Sequence, residues 1–166
     1  MADFHAVETA LLEHDDGSCR DVNFLEPTWD GVTTLIKRFE QVFGERTASD
    51  GEGNPLTEPH WQHLIASVLK TGYVHMVYRN SAETLTNVQA YVTSEDNGSP
   101  FIELTFFPED LAQARNLGRD FIAWIDGAQT TLQARHYYCR FENASWSFGD
   151  VSRYSGVFFA TVDTPS

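Results

Sequence analysis

The sequence predicts an α+β domain with a mainly antiparallel sheet and about three helices packed on one face, in the order ββααβββαββ. Strand-like segments rich in Val, Tyr, Phe and Thr follow one another across short turns, which favours antiparallel pairing. Three other segments carry apolar residues at helical spacing. The chain has 166 residues, 42% of them hydrophobic and 13% aromatic. One domain spanning residues 1–166 can therefore bury a core of its own.

The N-terminal segment predicts a β-hairpin. Residues 4–13 and 19–26 flank the turn sequence Asp-Asp-Gly-Ser at 15–18, and an Asp-Gly step is typical of hairpin turns. Pro27 ends the second predicted strand, because the residue before a proline is biased towards extended geometry.

The next segments predict two helices separated by a loop. Residues 30–43 place apolar side chains on one helical stripe, with Asp30 suited to the N-cap and Gly44 to the C-terminal cap. Residues 45–59 are rich in Gly, Asp, Glu and Pro, which predicts a long loop. The second helix is predicted over residues 58–71.

One helix and five strands fill the remainder of the predicted order. The helix begins at Pro108 and ends at Gly127, and its apolar stripe includes Leu111 and Phe121. Turn residues at 96–98 separate two of the strands. The predicted strands comprise residues 73–79, 86–94, 101–107, 131–142 and 154–161.

Charge is the strongest functional signal in the sequence. The net charge is −13, and residues 1–60 hold thirteen acids against four bases. Nucleic acids and anionic membranes bind through Lys and Arg, so the sequence predicts neither as a partner. An acidic face that steers a basic protein partner accounts for the charge. Solubility alone accounts for it as well.

The sequence predicts a cytoplasmic protein. The N-terminus has no basic segment followed by an apolar run, which a signal peptide requires. No stretch reaches the roughly 18 apolar residues that span a bilayer. Cys19 and Cys139 lack metal-binding spacing and are predicted to be reduced thiols, although a single bridge between them stays open.

No arrangement of residues predicts catalysis, a cofactor or a metal. His60 and His63 have the i, i+3 spacing of paired ligands, but no third ligand stands at motif spacing. His136 and Cys139 lie three positions apart in a predicted strand and so point to opposite faces. Cys139 shares its face with Phe141, which indicates core packing. The sequence therefore predicts a protein that binds rather than an enzyme.

Two segments carry a family resemblance. FIELTFFPEDL (101–111) and HYYCRFENASWSFGD (136–150) resemble the small immunity proteins of bacterial polymorphic toxin systems, which include contact-dependent inhibition and type VI secretion pairs. The resemblance implies an acidic, cytoplasmic, non-enzymatic protein that binds a cognate toxin domain, often a basic nuclease, and blocks its active site. It names no subfamily and assigns no residue.

The leading hypothesis is therefore an immunity protein that neutralises a basic toxin domain as a monomer or small homo-oligomer. Acids of the predicted hairpin turn and long loop would pair with the partner's Lys and Arg, and one loop tryptophan would anchor the contact. The residues of this predicted interface are Asp15, Asp16, Asp21, Glu45, Asp50, Glu52, Glu58 and Trp146. The alternatives are a ligand-binding protein or enzyme with a cavity between sheet and helices, and a scaffolding subunit.

Overall fold

The computed structural model describes residues 2–12, 18–56, 61–141 and 156–162, which form one antiparallel sheet and a layer of helices. The helices are α1 (Phe4–Leu12), α2 (Trp29–Val42), α3 (Trp61–Thr71) and α4 (Leu117–Leu132). The strands are β1 (Arg20–Leu25), β2 (Glu45–Asp50), β3 (Tyr73–Arg79), β4 (Val88–Ser94), β5 (Pro100–Phe106), β6 (His136–Phe141) and β7 (Val157–Ala160).

The seven strands pair in the order β2-β3-β4-β5-β1-β6-β7, and every pair is antiparallel. The first strand of the chain thus lies deep in the sheet, between β5 and β6. The prediction of an α+β fold with a largely antiparallel sheet is confirmed. β2 and β7 form the two edges of the described sheet.

The helices form one layer whose contacts run α1–α4–α2–α3. Close backbone approach between helices requires glycine at two crossings. A Cβ atom at Gly31 would lie 2.1 Å from the Leu132 carbonyl oxygen, and one at Gly118 would lie 2.1 Å from that of Phe4. Both distances are far below van der Waals contact, so these two glycines fix how α2 and α1 lie against α4.

The core lies between this layer and one face of the sheet. Alternate strand residues point into it, as period-two side-chain geometry requires. Val74, Met76 and Tyr78 of β3 are fully buried, and Leu35 and Phe39 of α2 are 1% and 2% exposed. The Phe39 ring packs edge-on against the Tyr78 ring with centroids 5.1 Å apart.

The first predicted strand is wrong, because residues 4–12 form helix α1. Val7, Ala10 and Leu11 are its buried residues, and their i, i+3, i+4 spacing is helical. The Asp3 carboxylate accepts hydrogen bonds of 3.1 Å from the backbone N–H groups of His5 and Ala6. This N-terminal capping outweighs the hairpin signal of residues 15–18, of which only Ser18 lies within the described residues.

The predicted loop 45–59 is partly wrong, because residues 45–50 form the edge strand β2. Its polar sequence, ERTASD, lacks the hydrophobic alternation that marks a half-buried strand. An edge strand needs little apolar surface, and β2 is held chiefly by its backbone pairing with β3. Since β2 is gained and the first predicted strand is helix α1, the described part has seven strands, as predicted, and four helices where three were predicted.

The boundaries of the third predicted helix also differ. Pro108–Asp110 form only a short 3₁₀ turn, in which Asp110 accepts a hydrogen bond from the Phe107 N–H. Helix α4 begins at Leu117 and passes through Gly127 to Leu132, so Gly127 does not end it and the following strand starts later than predicted.

Smaller corrections concern side chains on two helices. Thr28, not Asp30, caps α2, since its Oγ1 accepts a hydrogen bond of 2.9 Å from the Gly31 N–H. On α3, Leu64 and Val68 are buried as predicted, whereas Leu69 is 63% exposed.

Cys19 and Cys139 are both free thiols, as predicted. Cys139 is fully buried and pairs with Val22 of β1 in the core, which confirms its predicted packing role. Burial raises the pKa of the Cys139 thiol well above its usual range, so this thiol stays protonated.

No helix in the described residues is long and apolar enough to cross a membrane.

Candidate functional site

The candidate site lies on the open face, which we define as the sheet face opposite the helix layer. On β3 and β4 the residues that face the helices are buried, whereas Tyr73, His75, Val77, Gln89 and Tyr91 on the open face are exposed or half-buried. Helices cover only one side of the sheet in the described parts of the chain. On β3 and β4 the open face is therefore a surface on which strand side chains can reach a partner.

A row of residues in register crosses the open face through five of the seven strands. Pairing brings Glu103 of β5 opposite Asn23 of β1, and Asn23 opposite Tyr138 of β6. On its other side Glu103 pairs with Tyr91 of β4, which pairs with His75 of β3. We call these five residues the central row: His75, Tyr91, Glu103, Asn23 and Tyr138.

The centre of the row is a carboxylate held by an amide. Nδ2 of Asn23 donates a hydrogen bond to Oε2 of Glu103, and Nη2 of Arg140 lies 3.7 Å from the same oxygen. Burial raises the pKa of Glu103 above its usual range, and the nearby Asp21 adds to this, although the Asn23 hydrogen bond and Arg140 oppose it. A partly desolvated carboxylate of this kind favours a further cation.

Two acceptor atoms at this centre lack donors within the described residues. Asn23 is 1% exposed, and its Oδ1 has no hydrogen-bond partner there. The contacts of Glu103 are made through Oε2, so its Oε1 also receives no hydrogen bond from the described residues. Buried polar atoms are nearly always hydrogen-bonded, which makes the buried Oδ1 of Asn23 unusual. The Glu103 side chain is 22% exposed, so its Oε1 can meet solvent or a partner.

Beside the row, Arg140 bridges two acids. Its Nε lies 3.7 Å from Oδ2 of Asp21, and its guanidinium also faces Glu103. Asp21 is 5% exposed and accepts a hydrogen bond of 2.8 Å from the Thr105 hydroxyl. One guanidinium thus serves two carboxylates that would otherwise repel each other.

Aromatic side chains flank the centre. The rings of His75 and Tyr91 stack with centroids 4.2 Å apart and planes at 11°, and Nε2 of His75 lies 2.9 Å from Oε1 of Gln89. On the other flank, burial raises the pKa of Tyr138 to about 12. Tyrosines beside polar groups are typical of protein-binding surfaces.

A cleft of about 850 Å³ opens beside the central row, where β5, β1 and β6 meet the turn at residues 95–99. Asn23, Glu103 and Tyr138 line it together with Arg140 and His136. Leu25, Pro27, Pro100 and Phe101 add apolar walls. This cleft lies on the open face, whereas the ligand-binding alternative places a cavity between the sheet and the helices.

The acids at the rim of the cleft exceed the bases available to them. Arg135 lies 3.7 Å from Glu26, and both side chains are largely exposed. Glu95 is exposed at the rim, and no cation pairs with its carboxylate within the described residues. The cleft therefore combines an acidic rim, an acidic centre and apolar walls.

Four of the eight predicted interface residues lie outside the described residues: Asp15, Asp16, Glu58 and Trp146. Gly17 of the predicted turn and His60 also lie outside them. Glu45 is exposed on β2, and Glu52 is exposed in the turn that follows it. Asp21 is on β1, four strands from β2, or about 19 Å at the usual strand spacing. The structure thus separates Asp21 from the other described members.

Asp50 has a local structural role. Its Oδ1 accepts hydrogen bonds from the N–H groups of Asn54 (2.9 Å) and Glu52 (3.0 Å). The backbone bond from Asn54 is the main cause that lowers the pKa of Asp50 below its usual 3.8, and Lys70 contributes weakly. The carboxylate therefore holds the turn after β2 and is 9% exposed.

Sequence reasoning missed Asn23, Glu103, Tyr91 and Arg140. Polar residues alternate with apolar ones along β4 and β5, which signals an open sheet face. That signal does not say which polar residues become neighbours. Among the described residues, no three His, Cys, Asp or Glu side chains are grouped so as to hold a metal ion.

No protein-family model matches the chain. No curated protein matches its sequence. The fold is similar to that of a chain in the crystal structure of the toxic C-terminal tip of CdiA from Pseudomonas aeruginosa in complex with an immune protein. The TM-score is 0.58 at 16% identity, over 86% of this chain and 94% of the other. The predicted resemblance to toxin–immunity systems is thus confirmed at the level of the fold.

Proposed function

We propose that this protein is an immunity protein that binds and neutralises a cognate bacterial toxin domain. The observation that carries the proposal is the fold shared with a chain of a CdiA toxin complex with its immune protein. The net charge of −13 favours the inhibitor's role, because an acidic inhibitor complements a basic toxin. Under this proposal the protein acts by binding in the cytoplasm and catalyses no reaction.

The proposed mechanism is a tight one-to-one complex that covers the toxin's active site. A basic nuclease is the favoured partner, since the groups that bind nucleic-acid phosphates also attract an acidic inhibitor. Charge would speed the encounter, and the desolvated contacts would set how long the complex lasts.

The direct test begins with the neighbouring genes, since the proposal predicts that the gene immediately upstream encodes a large secreted protein whose variable C-terminal domain is the toxin. Co-expression should restore growth to cells that produce the domain. The two purified proteins should elute together at one-to-one stoichiometry. Absence of both rescue and complex would contradict the proposal.

The acids at the β2 edge supply a second, kinetic test. Glu45 and Glu52 are exposed near one end of the sheet, and the sequence predicts that they steer the partner. Glu45→Gln combined with Glu52→Gln should slow association and flatten its dependence on salt. An unchanged association rate and salt slope would show that steering acts elsewhere on the surface.

Small-molecule binding is the second candidate function, and the cleft on the open face favours it. Its volume of about 850 Å³ is within the range of roughly 300–1,000 Å³ for ligand sites. A ligand that raises the melting temperature while the toxin domain neither binds nor is neutralised would favour this function over the immunity role.

A further inference from the structure

We infer that the cleft on the open face receives a cationic side chain, arginine or lysine, from a protruding segment of the toxin domain. This inference rests on the proposed function and specifies where the partner is held. It places the main contact at Glu103 and Asn23, which differs from the acidic loop that the sequence predicts as the interface.

The first argument is the pair of unused acceptors. Oδ1 of Asn23 and Oε1 of Glu103 receive no hydrogen bond from the described residues. The two residues are directly opposite each other on neighbouring strands. A guanidinium presents five N–H donors and an ammonium three, so one cationic group can serve both atoms. A neutral side chain supplies fewer donors and no charge.

The second argument is charge. Glu26, Glu95 and Glu103 line the cleft against Arg135 and Arg140. Arg140 is shared between Glu103 and Asp21, so the Glu103 carboxylate is only partly neutralised. A cation that enters beside Glu103 completes the pairing, whereas an anion or a second acidic chain would be repelled.

The third argument is the shape and lining of the cleft. Leu25, Pro100 and Phe101 provide apolar walls above a polar floor. Arginine and lysine carry a charged group on an apolar stem, and they bury the stem against such walls. The position near the centre of the sheet is also suited to an anchor contact, because such contacts lie where a partner excludes water.

The test compares variants of this protein in their binding to the C-terminal domain that the proposed function predicts in the neighbouring upstream gene, with dissociation constants measured by calorimetry or surface plasmon resonance. Glu103→Gln keeps the size of the side chain and one acceptor oxygen, but it removes the charge and replaces the second acceptor oxygen with an N–H donor group. Glu109→Gln makes the same change at an exposed side chain outside the cleft and outside the acidic loop, and it is the matched control. Glu52→Gln tests the acidic loop.

We expect Glu103→Gln to weaken binding by about tenfold or more, because truncated central charge contacts have effects of this size. Glu109→Gln should change the dissociation constant by less than about threefold, whereas Glu52→Gln should act mainly through the association rate. Glu95→Lys provides a second test, since Glu95 is exposed and the sign of its charge can be reversed without disturbing the core. It should also weaken binding by about tenfold through repulsion at the rim.

Each outcome is decisive. If the wild-type protein binds and neither Glu103→Gln nor Glu95→Lys weakens the complex, the inference is overturned and the immunity function stands. If Glu52→Gln weakens binding and Glu103→Gln does not, the acidic loop is the interface. If the wild-type protein does not bind the toxin domain at all, both the function and this inference are wrong. Circular dichroism of each variant checks that it is folded.

Discussion

Nε of Arg20 donates a hydrogen bond of 3.0 Å to the backbone carbonyl of Ala10, which joins the end of α1 to the first residue of β1. Arg20 is fully buried. Its Nη1 donates to the carbonyl oxygen (2.9 Å) and the hydroxyl (3.1 Å) of Ser18, and its guanidinium lies 4.4 Å from the centroid of the Phe141 ring. A single arginine thus ties α1, β1 and β6 together.

Replacing Arg20 should therefore destabilise the fold strongly. Arg20→Met leaves the carbonyls of Ala10 and Ser18 without their buried donor, so we expect a loss of about 3 kcal/mol or more in the free energy of unfolding. Arg20→Lys should recover only part of this, because an ammonium lacks the planar fork of donors.

Urea denaturation measures both values. Arg135→Met is the control, since Arg135 is 72% exposed in its pair with Glu26 and its loss should cost less than about 0.5 kcal/mol. Equal effects at the two positions would show that the buried contacts of Arg20 contribute little.

A second prediction concerns two glycines where α2 and α4 pack together. Alanine should destabilise the protein at Gly31 and stabilise it at Gly127. Gly31→Ala forces a methyl group to within 2.1 Å of the Leu132 carbonyl oxygen, so we expect the free energy of unfolding to fall by about 2–3 kcal/mol. At Gly127 in α4, the nearest atom to an added Cβ is Nη1 of Arg38 at 3.7 Å. Gly127→Ala should therefore stabilise the helix by about 0.5–1 kcal/mol. Thermal unfolding of both variants tests the sign of each change.

Asp50 provides a prediction about pH. Its pKa is lowered below 3.8 chiefly by the hydrogen bond from the Asn54 N–H, so the folded protein favours the charged form. This contribution is fully present above the unfolded-state pKa and is lost as the pH falls through the lower folded-state value. Asp50→Asn should thus be less stable than the wild type at pH 7, and the difference should shrink as the pH falls below 3.8 through the folded-state value.

Unfolding free energies between pH 7 and pH 3 measure this effect. Glu52→Gln, which removes a charge from the same turn but at an exposed side chain, should differ less from the wild type at pH 7. A deficit of Asp50→Asn that persists unchanged at pH 3 would rule out the charge of Asp50 as its cause.

Local sequence signals predicted the helices and strands that their own residue pattern determines. The strand at 73–79 and the helix that starts near residue 30 follow directly from their apolar periodicity. Helix α1 was accessible by the same reasoning, since Asp3 and the spacing of Val7 and Leu11 are helical signals that the Asp-Gly turn masked. Strand β2 could not be predicted in this way, because an edge strand needs no apolar alternation.

The candidate site could not be predicted because its members meet only through sheet order. Asn23 and Glu103 are separated by 80 positions, and they become neighbours because β1 inserts between β5 and β6. The acid excess of residues 1–60 indicated a binding function, but it did not locate Glu103, which lies in the less acidic part of the chain. Strand order depends on long-range packing that periodicity does not encode.

The last prediction is that Glu103→Gln weakens binding to the toxin domain but raises the stability of the unbound protein. Burial raises the folded-state pKa of Glu103 above 4.5, and Asp21 adds to the shift, while Asn23 and Arg140 oppose it. Since the folded state then binds its proton more tightly, the free energy of unfolding falls as the pH rises above 4.5 through the folded-state value. Glu103→Gln stays uncharged and avoids this cost.

We therefore expect Glu103→Gln to melt at a higher temperature than the wild type at pH 7, with the advantage vanishing below pH 4.5. Asp21, Arg140, Tyr91 and Tyr138 face the carboxylate, and the variant leaves all four in place. Higher stability together with weaker toxin binding would mark a site whose strain in the free protein is offset by the partner. A variant that loses stability at pH 7 would show instead that the contacts of Glu103 with Asn23 and Arg140 outweigh its desolvation.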